Sequence, residues 1–437
     1  MLPVDVAVPE GPGGLGLELA TDAGSISRRA TRDSEDVHVR DVRFIGKSTS
    51  GAPPIHSLGA IAAPAFQRRD AFMEGDTPGG GVGRPGPKSE EAIELGLVFL
   101  SRHQSANGSW SLHNFAAGKP YQDRIDNHVA LHSDTAGTGL TLLAFLGAGY
   151  HHMDDKYQAS VRKGIDHLVK FQADDGNLFV PEDDNSNGSV ALYSHGIATI
   201  ALCEAYGMTL DERLREPAQK AVDFVAASQH SDRGGWRYRP QVGSDTSVSG
   251  WMMMALKSGQ LAGLDVSQES FDKIESWLDA SQKSERQPYL YSYNPYASDT
   301  TEQRHGRQAT TTMTSVGLLM RLYTGWRRDN PNMIKGADYL LENLPSRDER
   351  DTYYWYYATQ VMFHMQGKYW EAWNEALHPM LLETQVNSGP LTGSWHPRLP
   401  VRDRWGFHAG RLYVTTMNLI SLEVYYRHLP IYEDTAH

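Results

Sequence analysis

The 437-residue sequence contains one cysteine, Cys203. A single thiol excludes an internal disulfide framework and any multi-cysteine metal cluster. Basic side chains are in the minority, 41 Lys and Arg against 53 Asp and Glu, giving a formal charge of −12. That balance argues against a nucleic-acid partner, whose phosphates reward a basic face. It also gives no polybasic attraction to an anionic membrane. Long apolar runs are missing. Stretches such as LTLLAFLGAGY end after eleven residues, and a membrane span needs about 20. The start, MLPVDVAVPEGPGG, has neither the basic n-region nor the apolar h-region of a secretory signal. It reads like the middle of something, which leaves room for a longer, anchored parent protein.

Large side chains are scarce at the N-terminus. Residues 1–88 hold 14 Gly and 9 Pro but three aromatics, Phe44, Phe66 and Phe72, while every Trp and Tyr lies further on. Such a segment cannot bury enough surface to offset its ordering entropy. The tract DTPGGGVGRPGPK reads as a flexible linker. The expectation is a mostly disordered arm over 1–88, with VHVRDVRFIG as a short stretch able to pair or dock, followed by one folded unit over 89–437.

From Ser89 onward a repeat emerges. Its skeleton is a small residue, an aromatic–aliphatic pair, Gln eight residues after the small one, then Gly-x-Trp. GLVFLSRHQSANGSW is the first copy, and the Gln-equivalent positions are 104, 172, 229, 282, 344 and 385. Leu344 replaces Gln in the fifth unit, and Leu178 replaces Trp in the second. Each unit is followed by a second helical segment that is apolar on nearly all sides, such as LYSHGIATIALCEAYG and DTSVSGWMMMALKSGQLAG. A helix apolar all round is buried all round. The first helix of each pair carries charge on one side and can face water. Six buried helices alternating with six amphipathic ones specify an all-α, (α/α)6 toroid with an inner and an outer ring. The inner-helix N-termini then gather around one mouth of a central cavity.

The Gln…Gly-x-Trp units, complete at 104–110, 229–236 and 385–395, resemble the QW motifs of the prenyltransferase and squalene/oxidosqualene cyclase repeat family. The resemblance implies the same toroid, with Gln and Trp as structural ties on its outside. It also implies where chemistry should sit. A protonating triterpene cyclase of that family carries Asp-x-Asp-Asp followed by Thr-Ala. Here the stretch is Leu131-His132-Ser133-Asp134-Thr135-Ala136, with Ser133 in the proton donor's place. A prenyltransferase β subunit would hold zinc through Asp, Cys and His. Cys203 lies in mid-helix, and His195, eight residues earlier, is about 12 Å away along the axis, too far to share a metal. No metal or cofactor is expected.

Asp134 and Asp245 open inner helices with the same word, Ser-Asp-Thr. Asp before a helix is a strong N-cap. If the inner helices converge, the two carboxylates could instead form an acid/base pair at the mouth, with His195 hydrogen-bonded to one of them. The segment YLYSYNPYASDTTEQRHGRQATTT is either a surface loop or an aromatic and cationic lid, placing Tyr291, Tyr293, Arg304 and His305 over the cavity. Tyr354 and Trp355, from the run at 353–357, are the aromatics expected to point inward, where their faces suit a polyene or a cation and equally suit a sugar. The acidic run EDDNSNG at 182–188 lacks a calcium-loop spacing and reads as a solvated turn.

Three functions compete. An isoprenoid-binding or isoprenoid-converting toroid requires a deep, aromatic-lined apolar cavity. A non-catalytic toroid that binds a protein or peptide, with the arm as tether, requires a shallow, filled or polar centre. A carbohydrate-active barrel requires two carboxylates about 5–9 Å apart in an open cleft. The first is favoured, as a small-molecule site without protonation-driven cyclisation.

Overall fold

From Pro87 to Arg427 the described chain is built of successive helices, broken by one short hairpin. The computed structural model describes residues 43–44, 87–116, 119, 129–153, 156–181, 189–301, 303–427 and 432–433. The acidic run at 182–188 lies outside them. So does the expected arm, apart from Arg43–Phe44 and the two residues Pro87 and Lys88 that open the first helix. Proline suits a first helical position, where its missing N–H would have no partner.

The amphipathic helices are α1 (Pro87–Arg102), α3 (Gln158–Phe171), α5 (Glu212–Ser228), α7 (Gln268–Ser281), α9 (Pro331–Leu341) and α11 (Gly367–Thr384). The enclosed ones are α2 (Asp134–Gly147), α4 (Ala191–Thr209), α6 (Thr246–Leu261), α8 (Thr311–Tyr323), α10 (Thr352–Met365) and α12 (Gly406–Leu422), followed by the single turn α13 (Val424–Arg427). The difference in composition becomes a difference in burial. In α4 every residue from Leu192 to Met208 is buried, whereas α3 buries Val161, Gly164, Ile165, His167 and Leu168, one stripe at helical spacing. Each even-numbered helix packs on the next, and α12 returns to α2, so the inner ring closes. The outer helices clasp it, and α11 meets α1 across the seam. This is the double ring read from the repeats.

The repeat residues make the same tie in successive units. Gln104 Nε2 donates to Gly108 O at 2.8 Å and to Ser160 O at 2.9 Å, joining the end of α1 to the start of α3. Gln172 does the same to Gly176 O and Pro217 O, and Gln229 to Gly234 O and Ser270 O. Gln385 closes the circle, donating to Gly393 O and to Ala92 O in α1. Trp110, Trp236 and Trp395 are fully buried, and each indole N–H donates to a carbonyl at the end of its own outer helix. The glycine has no substitute. At Gly393 φ is +92°, and a Cβ would lie 2.0 Å from Leu95 O.

Small strands complete the chain. β1 (Arg43–Phe44) pairs antiparallel with β4 (Tyr432–Glu433), so the stretch expected to pair or dock does meet the C-terminal segment. β2 (Gln282–Ser284) and β3 (Gln287–Tyr291) form a hairpin in the fourth unit, where the Gly-x-Trp word is absent. Among the described residues, no helix is long and apolar enough to cross a membrane.

Candidate functional site

The first turns of all six inner helices line one cavity. Its walls come from Ala136 and Leu140 of α2, Tyr193 and Ile197 of α4, Ser247 and Trp251 of α6, Thr312 and Met313 of α8, Tyr353 of α10, and Ala409 and Tyr413 of α12. Leu112, Leu131, Val190, Tyr293 and Trp405 fill in from the connecting segments. Among the described residues no Asp, Glu, Lys or Arg is in the lining, and its polar side-chain groups are hydroxyls and the indole N–H groups of Trp251 and Trp405.

Aromatic rings brace one side. Trp251 stacks on Tyr356 at 5.4 Å with planes 13° apart and meets the edge of Tyr357 at 5.8 Å. Two hydroxyl chains run along the wall. In the first, Tyr193 Oη donates to Ser247 Oγ at 2.7 Å, and Ser247 Oγ is 2.7 Å from Tyr353 Oη. In the second, Tyr293 Oη donates to Asp245 Oδ2 at 3.0 Å and lies 2.7 Å from Tyr238 Oη. Because the Tyr293 proton is committed to the carboxylate, Tyr238 is the donor in that pair.

Asp245 caps α6, its Oδ1 accepting from Val248 N at 2.8 Å. It is fully buried, and burial raises its pKa to about 6, outweighing the Arg237 guanidinium, whose Nε is 3.8 Å away, and the donated hydrogen bonds. Two further carboxylates lie near the mouth. Asp351 caps α10, accepting from Tyr354 N at 2.9 Å and from Thr312 Oγ1 at 3.2 Å, and burial with the nearby Asp403 charge raises it to about 6. Asp403 accepts from the backbone N–H groups of Thr352, Trp405 and Gly406, and burial raises its pKa too. All three are helix-start acceptors set behind the wall.

The sequence candidates separate in space. Tyr293 lines the cavity, and Asp245 is one hydrogen bond behind it. Asp134 does not join Asp245. The cap of α2 is Ser133, whose Oγ accepts from Ala136 N at 2.9 Å, while Asp134 Oδ2 accepts from Ser109 Oγ and its charge acts on His167 of the outer ring. His195 contacts neither carboxylate. Its Nδ1 accepts from Leu178 N at 3.1 Å, so Nε2 carries the proton and donates to Ala221 O at 3.1 Å, and burial lowers its pKa to about 4. Thr138, Ser249 and Thr415 hold the same position in three other units, accepting from the backbone N–H of Trp110, Trp236 and Trp395. His195 is therefore a tie between rings.

Tyr291 stands where those units have Trp. It is fully buried over Gly317, and its hydroxyl accepts from Arg321 Nε at 3.1 Å. Arg304 is exposed and His305 half-buried on a 3-10 turn, Arg304–Arg307, outside the cavity lining. Tyr354 points to the outer ring, donating to Asn343 O at 2.8 Å and meeting Trp373 edge-on. Trp355 is buried but does not line the cavity. The residues that do so in their stead are Tyr353, one position earlier, with Tyr193, Trp251, Trp405 and Tyr413. Their sequence signal is position in the first turns of the inner helices.

No protein-family model matches the sequence, and no curated protein does. Solved structures do. The α-1,6-mannanase GH76A of Salegentibacter sp. HEL1_6 aligns with a TM-score of 0.51 at 12% identity, over 77% of this chain and 98% of that one. An inactive variant of that enzyme in complex with α-1,6-mannotriose gives 0.51 at 11%, over 77% and 99%. The type II terpene cyclase MstE from Scytonema aligns at 0.47 and 15% identity, over 77% and 98%. At these identities the mannanase likeness carries architecture and no chemistry: the chain folds as an (α/α)6 toroid.

Proposed function

We propose that the toroid binds an apolar, isoprenoid-type small molecule in its central cavity. The observation that carries this reading is the lining: aliphatic and aromatic side chains, a few hydroxyls, and no charged group among the described residues. An apolar ligand gains by leaving water for such walls at about 25 cal/mol per Å2 of buried surface. The Gln…Gly-x-Trp units support a place beside the squalene cyclase repeat family.

The lining weighs against a saccharide, whose many hydroxyls would lose water without finding partners. The carboxylates close to the cavity, Asp245, Asp351 and Asp403, accept backbone N–H groups at helix starts instead of facing an open cleft. For the same reason none of them is aimed into the cavity as a proton donor. The proposal is therefore of binding, without a protonating cyclisation.

Tryptophan fluorescence tests it, since Trp251 and Trp405 stand on the wall. Titration with geranylgeraniol should give a saturable change, and α-1,6-mannotriose should give none. A response to the saccharide alone would replace this reading with the carbohydrate one. Silence from both would leave a protein-binding toroid.

A further inference from the structure

Hydroxyl protons and acceptors do not balance on one wall of the cavity. Tyr193, Ser247 and Tyr353 bring three protons to two short bonds, both made at Ser247 Oγ. If Tyr353 donates to Ser247, the serine proton is left over. If Ser247 donates to Tyr353, the tyrosine proton is left with Ser247 O at 3.4 Å, beyond the usual range for an O–H donor, or with the Tyr357 hydroxyl. One turn along α10, the fully buried Tyr357 hydroxyl has, among the described residues, only the Tyr353 hydroxyl to turn to, its ring 5.1 Å from that of Tyr353, so it adds a proton to the wall and finds no acceptor beyond it. A buried hydroxyl without a partner is costly, so this wall is short of an acceptor.

The neighbouring chain, whose Asp245 is two residues before Ser247 and whose Tyr238 ring is 6.4 Å from that of Tyr193, is saturated. Tyr238 donates to Tyr293, and Tyr293 donates to Asp245, leaving no proton for a guest. It also brings a carboxylate to within one hydrogen bond of the lining, while among the described residues no Lys or Arg side chain lines the cavity. An anionic head group would enter a site with no facing cation.

We propose that Ser247 and Tyr353 seat a neutral oxygen acceptor, an alcohol, ether or carbonyl, at one end of the isoprenoid-type ligand. This deepens the proposed function and rests on it. It excludes a pure hydrocarbon as the best ligand, because the spare proton would stay unpaired. It equally excludes a prenyl diphosphate.

Three C15 probes of one chain test the assignment on the full-length protein: farnesol, farnesene and farnesyl diphosphate. Farnesol should bind about threefold to tenfold more tightly than farnesene, the worth of one neutral hydrogen bond. The diphosphate should bind weakest. In the triple variant Tyr193→Phe, Ser247→Ala, Tyr353→Phe, which also removes the tyrosine proton that Ser247 accepts, the ratio of farnesol to farnesene affinity should fall to about one. Thermal midpoints report whether that variant folds, and the wild-type comparison stands without it. Equal affinity for farnesol and farnesene would overturn the head-group seat and leave the apolar cavity. Tightest binding by the diphosphate would overturn its neutrality. An alcohol preference that survives the triple variant would overturn its assignment to the hydroxyls of this wall. If none of the three binds, the apolar-ligand reading falls and takes the seat with it.

Discussion

Replacing Asp245 by Asn separates burial from ion pairing at the carboxylate nearest the cavity. With its pKa raised to about 6 by burial, folded Asp245 holds a proton that the unfolded chain releases near the ordinary carboxylate value of about 4. The sign follows. Stability from this group is fully present below pH 4 and is lost as pH rises through about 6. The loss amounts to about 3 kcal/mol for a displacement of this size. Asn keeps the acceptor for Val248 N, and its amide can donate to Tyr293 if the tyrosine chain reverses direction. The variant should therefore be near wild-type stability at pH 4 and should gain on the wild type between pH 4 and 7, by up to about 3 kcal/mol. Urea unfolding of both proteins at several pH values measures the gap, and Asp351 and Asp403 cancel because both chains carry them. Parallel stability curves would show that Arg237 and the donated hydrogen bonds keep Asp245 ionised throughout, refuting the dominance of burial.

Ser133→Ala should cost about 0.5–2 kcal/mol in thermal or urea unfolding as a lost cap, and Asp134→Asn should cost less; the reverse order would place the cap one residue later. Gln385→Leu breaks the bond to Ala92 O across the ring seam and the local one to Gly393 O and should cost about 1–3 kcal/mol, against no change if the seam is held by packing alone. Gly393→Ala should destabilise by at least about 1 kcal/mol from its backbone conformation, with the contact to Leu95 O adding to that; wild-type stability would show that α1 can move aside. We also propose that the unit from Pro87 onward folds without the preceding arm. Its thermal midpoint should stay within about 8 °C of the full chain, and a larger fall would mean that the arm packs on the body.

The ring is legible in the sequence because two helix types differ in composition. ALYSHGIATIALCEAYG has no polar face to offer water, and QASVRKGIDHLVKF has one. Which aromatics reach the cavity is less legible. A helix turns about 100° per residue, so Tyr353 faces the cavity while Tyr354 beside it reaches Asn343 in the outer layer. His195 is obscured for another reason. Its position is held by Thr or Ser in other units, and imidazole Nδ1 serves the same backbone donor. At Ser133-Asp134 either side chain can cap a helix, and only the backbone decides which one does. The hairpin at 282–291 escapes because its strands are short and QKSERQP carries no apolar alternation.

The central claim is that apolar surface is buried in the cavity at the inner-helix starts. Titration calorimetry with geranylgeraniol at several temperatures, on the wild type and on an Ala409→Trp variant that fills the cavity wall, tests it most directly. The expected result is micromolar or tighter binding with a negative heat-capacity change in the wild type, lost in a variant of unchanged helical content. Binding without a heat-capacity decrease, or binding that persists undiminished in Ala409→Trp, would contradict it.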